Sequence, residues 1–183
     1  MGVGSQVASF CLRIGEVICA AIVAGILGYY LHLLDDANAH ANGRIIYTQV
    51  IAGISILAAL VFMPPLKYSF WAFPLDFALF ICWIVSFGLL VDLTSSGGCH
   101  SRWYWTSWGY YWGGWYRTIP ITNANQTIIG TVNCSTWRTS NAFIFIGAFL
   151  WLGSGLCGLY VCTRDRHVHR EKVSRPEVRT TEA

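Results

Sequence analysis

The sequence predicts an all-α membrane protein: an antiparallel bundle of four transmembrane helices with a disulfide-clamped, aromatic exoplasmic loop between helices 3 and 4. Three observations carry that expectation. Hydrophobic residues make up 55% of the 183 and charged ones 11%, against about 25% charged in an ordinary soluble domain. Four apolar runs, at about 7–34, 45–63, 70–93 and 142–162, are of the order of the 20 residues that cross a roughly 30 Å hydrocarbon core. Between the last two runs, a segment bracketed by Cys99 and Cys134 carries nine tryptophans and tyrosines from Trp103 to Tyr116.

The first run has Arg13 and Glu16 near its start. A cleaved secretory signal is the competing reading, and Ala37-Asn38-Ala39 resembles a cleavage site. An h-region spans only about 7–15 residues and follows a basic n-region, so a retained helix is the better expectation. The opening Met1-Gly2 lacks the Ser or Thr at position 6 that a myristoylation motif needs; Gln6 stands there. Ala21-x-x-x-Gly25 and Ala24-x-x-x-Gly28 put small residues on neighbouring faces, where a second helix approaches closely. A polar loop with Asp35, Asp36, Asn38, Asn42 and Gly43 leads into the second run, whose small seam is Ser55-x-x-x-Ala59. Pro64-Pro65 stops that run, because proline has no amide to continue a helix. After a turn containing Lys67 and Tyr68, the third run opens on Pro74 and Asp76 and carries Ala78-x-x-x-Cys82-x-x-x-Ser86. The fourth carries Gly147, Gly153, Gly155 and Ser154-x-x-x-Gly158, glycines that membrane helices tolerate where they pack tightly.

Lys and Arg near the membrane set the orientation. The tail has Arg164, Arg166, Arg170, Lys172, Arg175 and Arg179, with Lys67 on the same side; Arg44, Arg102, Arg117 and Arg138 are spread over the two opposite loops. The dense cluster belongs in the cytosol. Both termini are then cytosolic, residues 164–183 are a disordered basic tail, and the cysteine-bracketed loop is exoplasmic. The sequon Asn125-Gln-Thr127 agrees, and a glycan is expected at Asn125. Asn133-Cys-Ser135 is a poorer acceptor if Cys134 is bridged. In that oxidising compartment one Cys99–Cys134 disulfide is expected. Trp103, Trp105, Trp108, Trp112 and Trp115 are expected to lie along the membrane interface, an apolar body on lipid and an N–H toward water. Residues 118–122 and 127–132 flank Asn123-Ala-Asn-Gln126 as a candidate short hairpin, with Pro120 confining it to an edge. Of the seven cysteines, Cys11, Cys19, Cys82 and Cys157 read as small packing residues. Cys162, at the end of the last run beside the basic tail, is a candidate for palmitoylation.

Arg13, Glu16 and Asp76 are the chemistry-bearing residues. Charges within a span are costly and therefore paired or functional. Arg13 and Asp76 each lie about six residues into their spans, roughly 9–10 Å deep at 1.5 Å per residue. That matched depth predicts a structural ion pair between spans one and three, with Glu16 as a second partner for Arg13; a small ion channel or transporter built on the same three residues is the alternative. No metal site is expected, because His167-x-His169 puts its side chains on different helix faces and no other ligand cluster completes a set. No phosphate loop, nucleophile elbow or zinc-protease motif occurs, so no catalytic residue, cofactor or small-molecule substrate is expected. A net charge of +3 with few basic residues among the aromatics excludes nucleic acid.

The layout resembles the MARVEL (membrane-associating) domain family, in its fungal four-span form. The resemblance rests on Leu12-Arg13-Ile14 opening the small-residue-rich first span and Leu75-Asp76-Phe77 opening the third. It rests also on the Trp-rich loop from Cys99 to Cys134-Ser-Thr-Trp137-Arg138 ahead of the fourth. It covers about residues 7–163 and implies a non-enzymatic organiser of membrane domains, membrane apposition or vesicle trafficking. Such a protein resides in the plasma membrane or secretory-pathway vesicles, with lipids and other membrane proteins, or itself, as neighbours. Tetraspanins share the four spans, but their Cys-Cys-Gly motif is absent here, where Gly97-Gly98-Cys99 is nearest; a tetraspanin-like adaptor is a further alternative. Claudin-like proteins carry their larger loop between spans one and two.

The basic tail yields a direct expectation. A peptide of residues 164–172 binds anionic vesicles, each basic residue contributing about 1 kcal/mol, offset in part by Asp165 and Glu171, and phosphorylation at Ser174 weakens the contact in the full tail. Equal binding to neutral and anionic vesicles in a sedimentation assay excludes this.

Overall fold

The computed structural model describes residues 3–63, 73–123, 129 and 132–174, with the backbone alone at 3–6, 96 and 165–174. Pro64, Pro65, Lys67, Tyr68 and the Asn125 sequon lie outside the described residues. The described residues are helical, with no strand among them. The long helices are α1 (Val3–Asp36), α2 (Gly43–Phe62) and α3 (Phe73–Thr94); a short helix, α4 (Gly109–Trp112), precedes the long α5 (Cys134–Ser174). Val7–Asp36, Gly43–Phe62, Phe73–Thr94 and Cys134–Arg164 are each long and apolar enough to cross a membrane.

The helix ends follow from local chemistry. Asn38 closes α1 in the left-handed region (φ 49°), a conformation that Asn tolerates better than most residues. The Ala39 amide donates to the Leu34 carbonyl and the Asn38 amide to that of Asp35, both at 2.9 Å, which satisfies carbonyls the helix leaves open. Four residues on, the Asn42 side chain accepts from the Arg44 amide at 3.0 Å and starts α2. Pro74 sits in the first turn of α3, where a missing amide costs nothing.

Packing is cyclic: α1 lies principally against α2 and α5, and α3 against α2 and α5. Contacts between α1 and α3 therefore cross a diagonal and depend on long side chains. The middle of the bundle is filled by Val23, Leu27, Trp83, Leu90, Ile144 and Trp151, all buried. Trp83 of α3 donates its indole N–H to Ser55 Oγ of α2 at 2.8 Å, a buried polar group correctly paired. Residues turned outward are apolar, with Leu57, Val61, Ile81 and Tyr160 all more than half exposed, as lipid-facing surfaces must be.

Three expectations need correction. The fourth helix starts at Cys134, eight positions before its apolar run, because Trp137 and Ser140 are buried and tertiary packing holds that polar-looking turn. The tail expected to be disordered from Arg164 is helical to Ser174: no Gly or Pro, the two poorest helix formers, falls between those residues. No hairpin arm forms at residues 118–122, since Ile121–Asn123 is a 3₁₀ turn with the Asn123 amide donating to the Pro120 carbonyl at 2.9 Å. The small-residue seams also divide. Gly28 faces Gln49 of α2, whereas a Cβ on Gly25 would meet nothing within 4 Å.

Gly147 sits at a close crossing of three helices, since a Cβ there would meet Trp83 of α3 at 3.4 Å and Cys19 of α1 at 3.5 Å. Gly147→Leu is expected to lower stability by about 1–3 kcal/mol through overpacking, while Gly25→Leu stays within about 0.5 kcal/mol; thermal unfolding in detergent micelles, with equal losses for the two as the contrary result, measures both.

Candidate functional site

At the end of the bundle nearer the N-terminus, the diagonal is bridged. Arg13 on α1 donates from Nη2 to both Asp76 oxygens on α3, at 2.8 and 2.9 Å, and from Nη1 to Glu16 Oε2 at 2.9 Å. All three residues are 1% exposed. One terminal nitrogen thus spans both Asp76 oxygens while the other serves Glu16, so each carboxylate receives charge-assisted hydrogen bonds from the same guanidinium. Arg13 and Glu16 are three residues apart on one helix, so they share a face, and that face is turned to Asp76.

The other two helices complete the enclosure. Trp151 of α5 lies with its ring centroid 5.1 Å from the Arg13 guanidinium carbon, and Phe62 of α2 at 5.6 Å, a cation–π arrangement that gains strength where water is excluded. Ser154 stands beside both carboxylates. Gly155 leaves room for Asp76, whose Cβ would lie 3.4 Å from a Cβ added there. One guanidinium faces two carboxylates, and Glu16 Oε1 has no hydrogen-bond partner among the described residues. Sequence reasoning singled out Arg13, Glu16 and Asp76 but missed Trp151 and the role of Ser154. The available signal was their spacing: positions 151, 154 and 155 share one face of α5.

A second assembly caps the opposite end. The Cys99 and Cys134 sulfurs stand at disulfide distance, with Cα atoms 5.9 Å apart. Between them the chain makes a 3₁₀ turn at Ser95–His100, a π-helical turn at Tyr104–Trp108, then α4 and a 3₁₀ turn at Trp115–Arg117. Trp108 is fully buried. It stacks on Tyr30 of α1 at 4.7 Å and meets Trp137 of α5 edge-on at 4.8 Å. Trp103 lies 5.3 Å from Trp137, and Trp112 4.9 Å from Tyr29. Trp108 therefore does not lie along an interface as expected: it is the peg that seats the loop on α1 and α5. Trp103, Trp105, Trp112 and Trp115 are half-buried. Gly109 permits the seating, because a Cβ there would come within 2.7 Å of the Ile129 carbonyl oxygen.

Two phenols pin the loop backbone. Tyr104 donates to the Val132 carbonyl at 2.7 Å and Tyr110 to that of Ile119 at 2.6 Å. Burial pushes both phenols above their ordinary values, with a smaller opposing pull from Arg138 on Tyr104, so both stay neutral donors through physiological pH. At the same end Arg44 of α2 pairs with Asp92 of α3 at 2.5 Å, and Arg117 lies 3.9 Å from Asp36 of α1; exposed pairs of this kind contribute about 0–1 kcal/mol each. Cys162 is half-buried near the far end of the fourth span, and His167 and His169 fall where the backbone alone is described.

No family model, curated protein or solved structure matches this chain.

Arg13→Leu is expected to destabilise by about 3–5 kcal/mol, since two buried carboxylates lose their counter-charge, while replacing Arg13, Glu16 and Asp76 together by Leu is expected to be near neutral. The Arg13→Asp/Asp76→Arg exchange restores part of the loss. Unfolding in detergent distinguishes these, and an unchanged Arg13→Leu protein excludes a pairing role.

Proposed function

We propose that this chain is a non-enzymatic, four-span membrane organiser of the MARVEL type. It acts in lateral membrane domains, membrane apposition or vesicle trafficking, at the plasma membrane or in secretory-pathway vesicles. The observation that carries the reading is the closure of the buried charge. Arg13, Glu16 and Asp76 are the only buried Asp, Glu, Lys, Arg or His among the described residues, they bond to one another, and Trp151 and Phe62 cover them. A conduction path needs polar groups at several depths; here the buried ionisable groups form one cluster, and the buried hydroxyls elsewhere, such as Ser55, Ser86 and Ser140, stand among packed apolar side chains. An organiser needs what the rest of the chain supplies: a rigid bundle, an apolar exterior and shaped ends.

In this reading the four spans run antiparallel, both termini are cytosolic, and the aromatic cap is exoplasmic. The Cys99–Cys134 bond ties the cap across a sequence separation of 35 residues, which in the chain-entropy account contributes roughly 3–4 kcal/mol. Asn125 carries a glycan, Cys162 an acyl chain, and the helical basic extension of α5 lies on anionic cytosolic lipid. Partners are lipids and other membrane proteins, or further copies of the chain.

One observation favours the channel or transporter reading: the carboxylate excess, with Glu16 Oε1 unpartnered among the described residues, leaves a group able to carry a proton. Reconstitution decides between the two. Proteoliposomes are expected to show ion and proton flux no greater than protein-free vesicles, and deletion of the gene is expected to redistribute the neighbours that crosslink to the tagged protein. Flux that Asp76→Asn abolishes overturns the organiser.

A further inference from the structure

The capped end holds a cavity of about 300 Å³ between the α1–α2 turn and the aromatic loop. That volume is at the small end of the roughly 300–1,000 Å³ of ligand sites. We propose that it binds one neutral sugar ring. This goes beyond the organiser reading and does not depend on it, because the cavity is defined by the fold alone.

The lining sets the ligand class. Tyr30 and Leu34 of α1, both nearly fully buried, are among its apolar lining residues, together with the rings of Trp103 and Tyr111. Those rings are held before any ligand arrives: Trp103 rests on Trp137 at 5.3 Å, and Tyr111 meets Tyr30 edge-on at 6.4 Å and Tyr116 at 5.9 Å. Four polar side chains share the lining: His40, Asn42, Thr106 and Ser107. Asn42 spends its carbonyl oxygen on the Arg44 amide and so offers its NH₂ as a donor. Thr106 gives its hydrogen to the Arg102 carbonyl at 2.8 Å and so offers lone pairs. A site with apolar rings and both donors and acceptors suits a pyranose, which has C–H faces and hydroxyls that donate and accept.

Other classes fit less well. No Asp, Glu, Lys or Arg lines the cavity, so a phosphate or an ammonium would lose hydration without a counter-charge. An acyl chain or a sterol ring would displace water from the half-buried Asn42, Thr106 and Ser107 without replacing the hydrogen bonds it removes, at a cost for each group so covered. The volume admits a single ring rather than an oligosaccharide. Its position, at the ends of helices long enough to cross a membrane, suits either a glycolipid headgroup or a sugar arriving from solution.

The test uses full-length protein in phosphatidylcholine nanodiscs. Free methyl β-glucoside and methyl β-galactoside are followed by saturation-transfer NMR. Monoglucosyl- and monogalactosyl-diacylglycerol in the disc are followed directly, by native mass spectrometry of the protein released from it, with diacylglycerol as the matched control. At least one probe is expected to bind saturably. Binding of the glycolipids alone assigns the site to a headgroup; binding of the free glycosides, with or without them, assigns it to a soluble sugar ring. Ser107→Trp fills the cavity and is expected to abolish binding. Asn42→Asp keeps the capping oxygen but loses the amide donor and is expected to weaken binding roughly fivefold, the worth of one hydrogen bond. An unchanged thermal midpoint checks that both variants fold. No binding of any of the four probes, equal retention of plain diacylglycerol, or full binding by either folded variant overturns the proposal.

Discussion

An arginine inside a membrane-spanning helix has to be neutralised where it stands, and the architecture follows from how Arg13 meets that demand. Its helix packs on α2 and α5, not chiefly on α3, so the carboxylate that neutralises it is across the bundle. Reaching Asp76 requires the long arginine stem, and holding both ends in register fixes the relative height of α1 and α3. Were the helices to slip by one turn, about 5.4 Å, the contact to Asp76 would be lost and that carboxylate would sit unpaired in a dry interior, while Arg13 kept only Glu16 on its own helix. A buried pair of this kind is poor evidence of added stability, because desolvation offsets much of the attraction; its better-attested role is to specify one register among several. Trp151 and Phe62 belong to the same device, since they keep water from the pair and press α5 and α2 onto it.

The other end is held by a different physics. There the loop between α3 and α5 folds back on the helix ends through aromatic stacking and two phenol-to-carbonyl bonds. Trp108 does for this end what Arg13 does for the other: it joins α1 and α5 through contacts that no neighbour in sequence supplies. The two ends thus divide the labour. One sets register by charge, and the other closes the bundle by shape, leaving a small, uncharged cavity beside the α1–α2 turn.

The charge distribution connects this architecture to the proposed role. At the capped end Arg44 faces Asp92 and Arg117 faces Asp36, so two of the basic residues there have acidic company. The helix α5 continues past Arg164 to Ser174, through the sequence that holds Arg166, Arg170 and Lys172. A backbone already helical has less conformational freedom to lose on contact with a lipid surface than a loose tail would.

Much of this was legible in the residues themselves. Hydropathy alone located four spans, since backbone polar groups in lipid leave the chain few choices besides helix. Counting residues at 1.5 Å each put Arg13 and Asp76 at one depth, and Cys99 and Cys134 were evident as bracket residues. What the sequence could not decide was anything settled by contacts between distant segments. Polar residues 135–141 look like loop until Trp137 is seen beneath Trp103 and Trp108. The tryptophans look like an interfacial belt until one is found wholly buried. Ala21 and Gly25 look like a helix seam until Gly25 proves to face outward. Spacing along one helix reports which residues share a face, but not what that face meets. Only the assembled bundle, in which the shape of every face is matched against all the others at once, makes that choice.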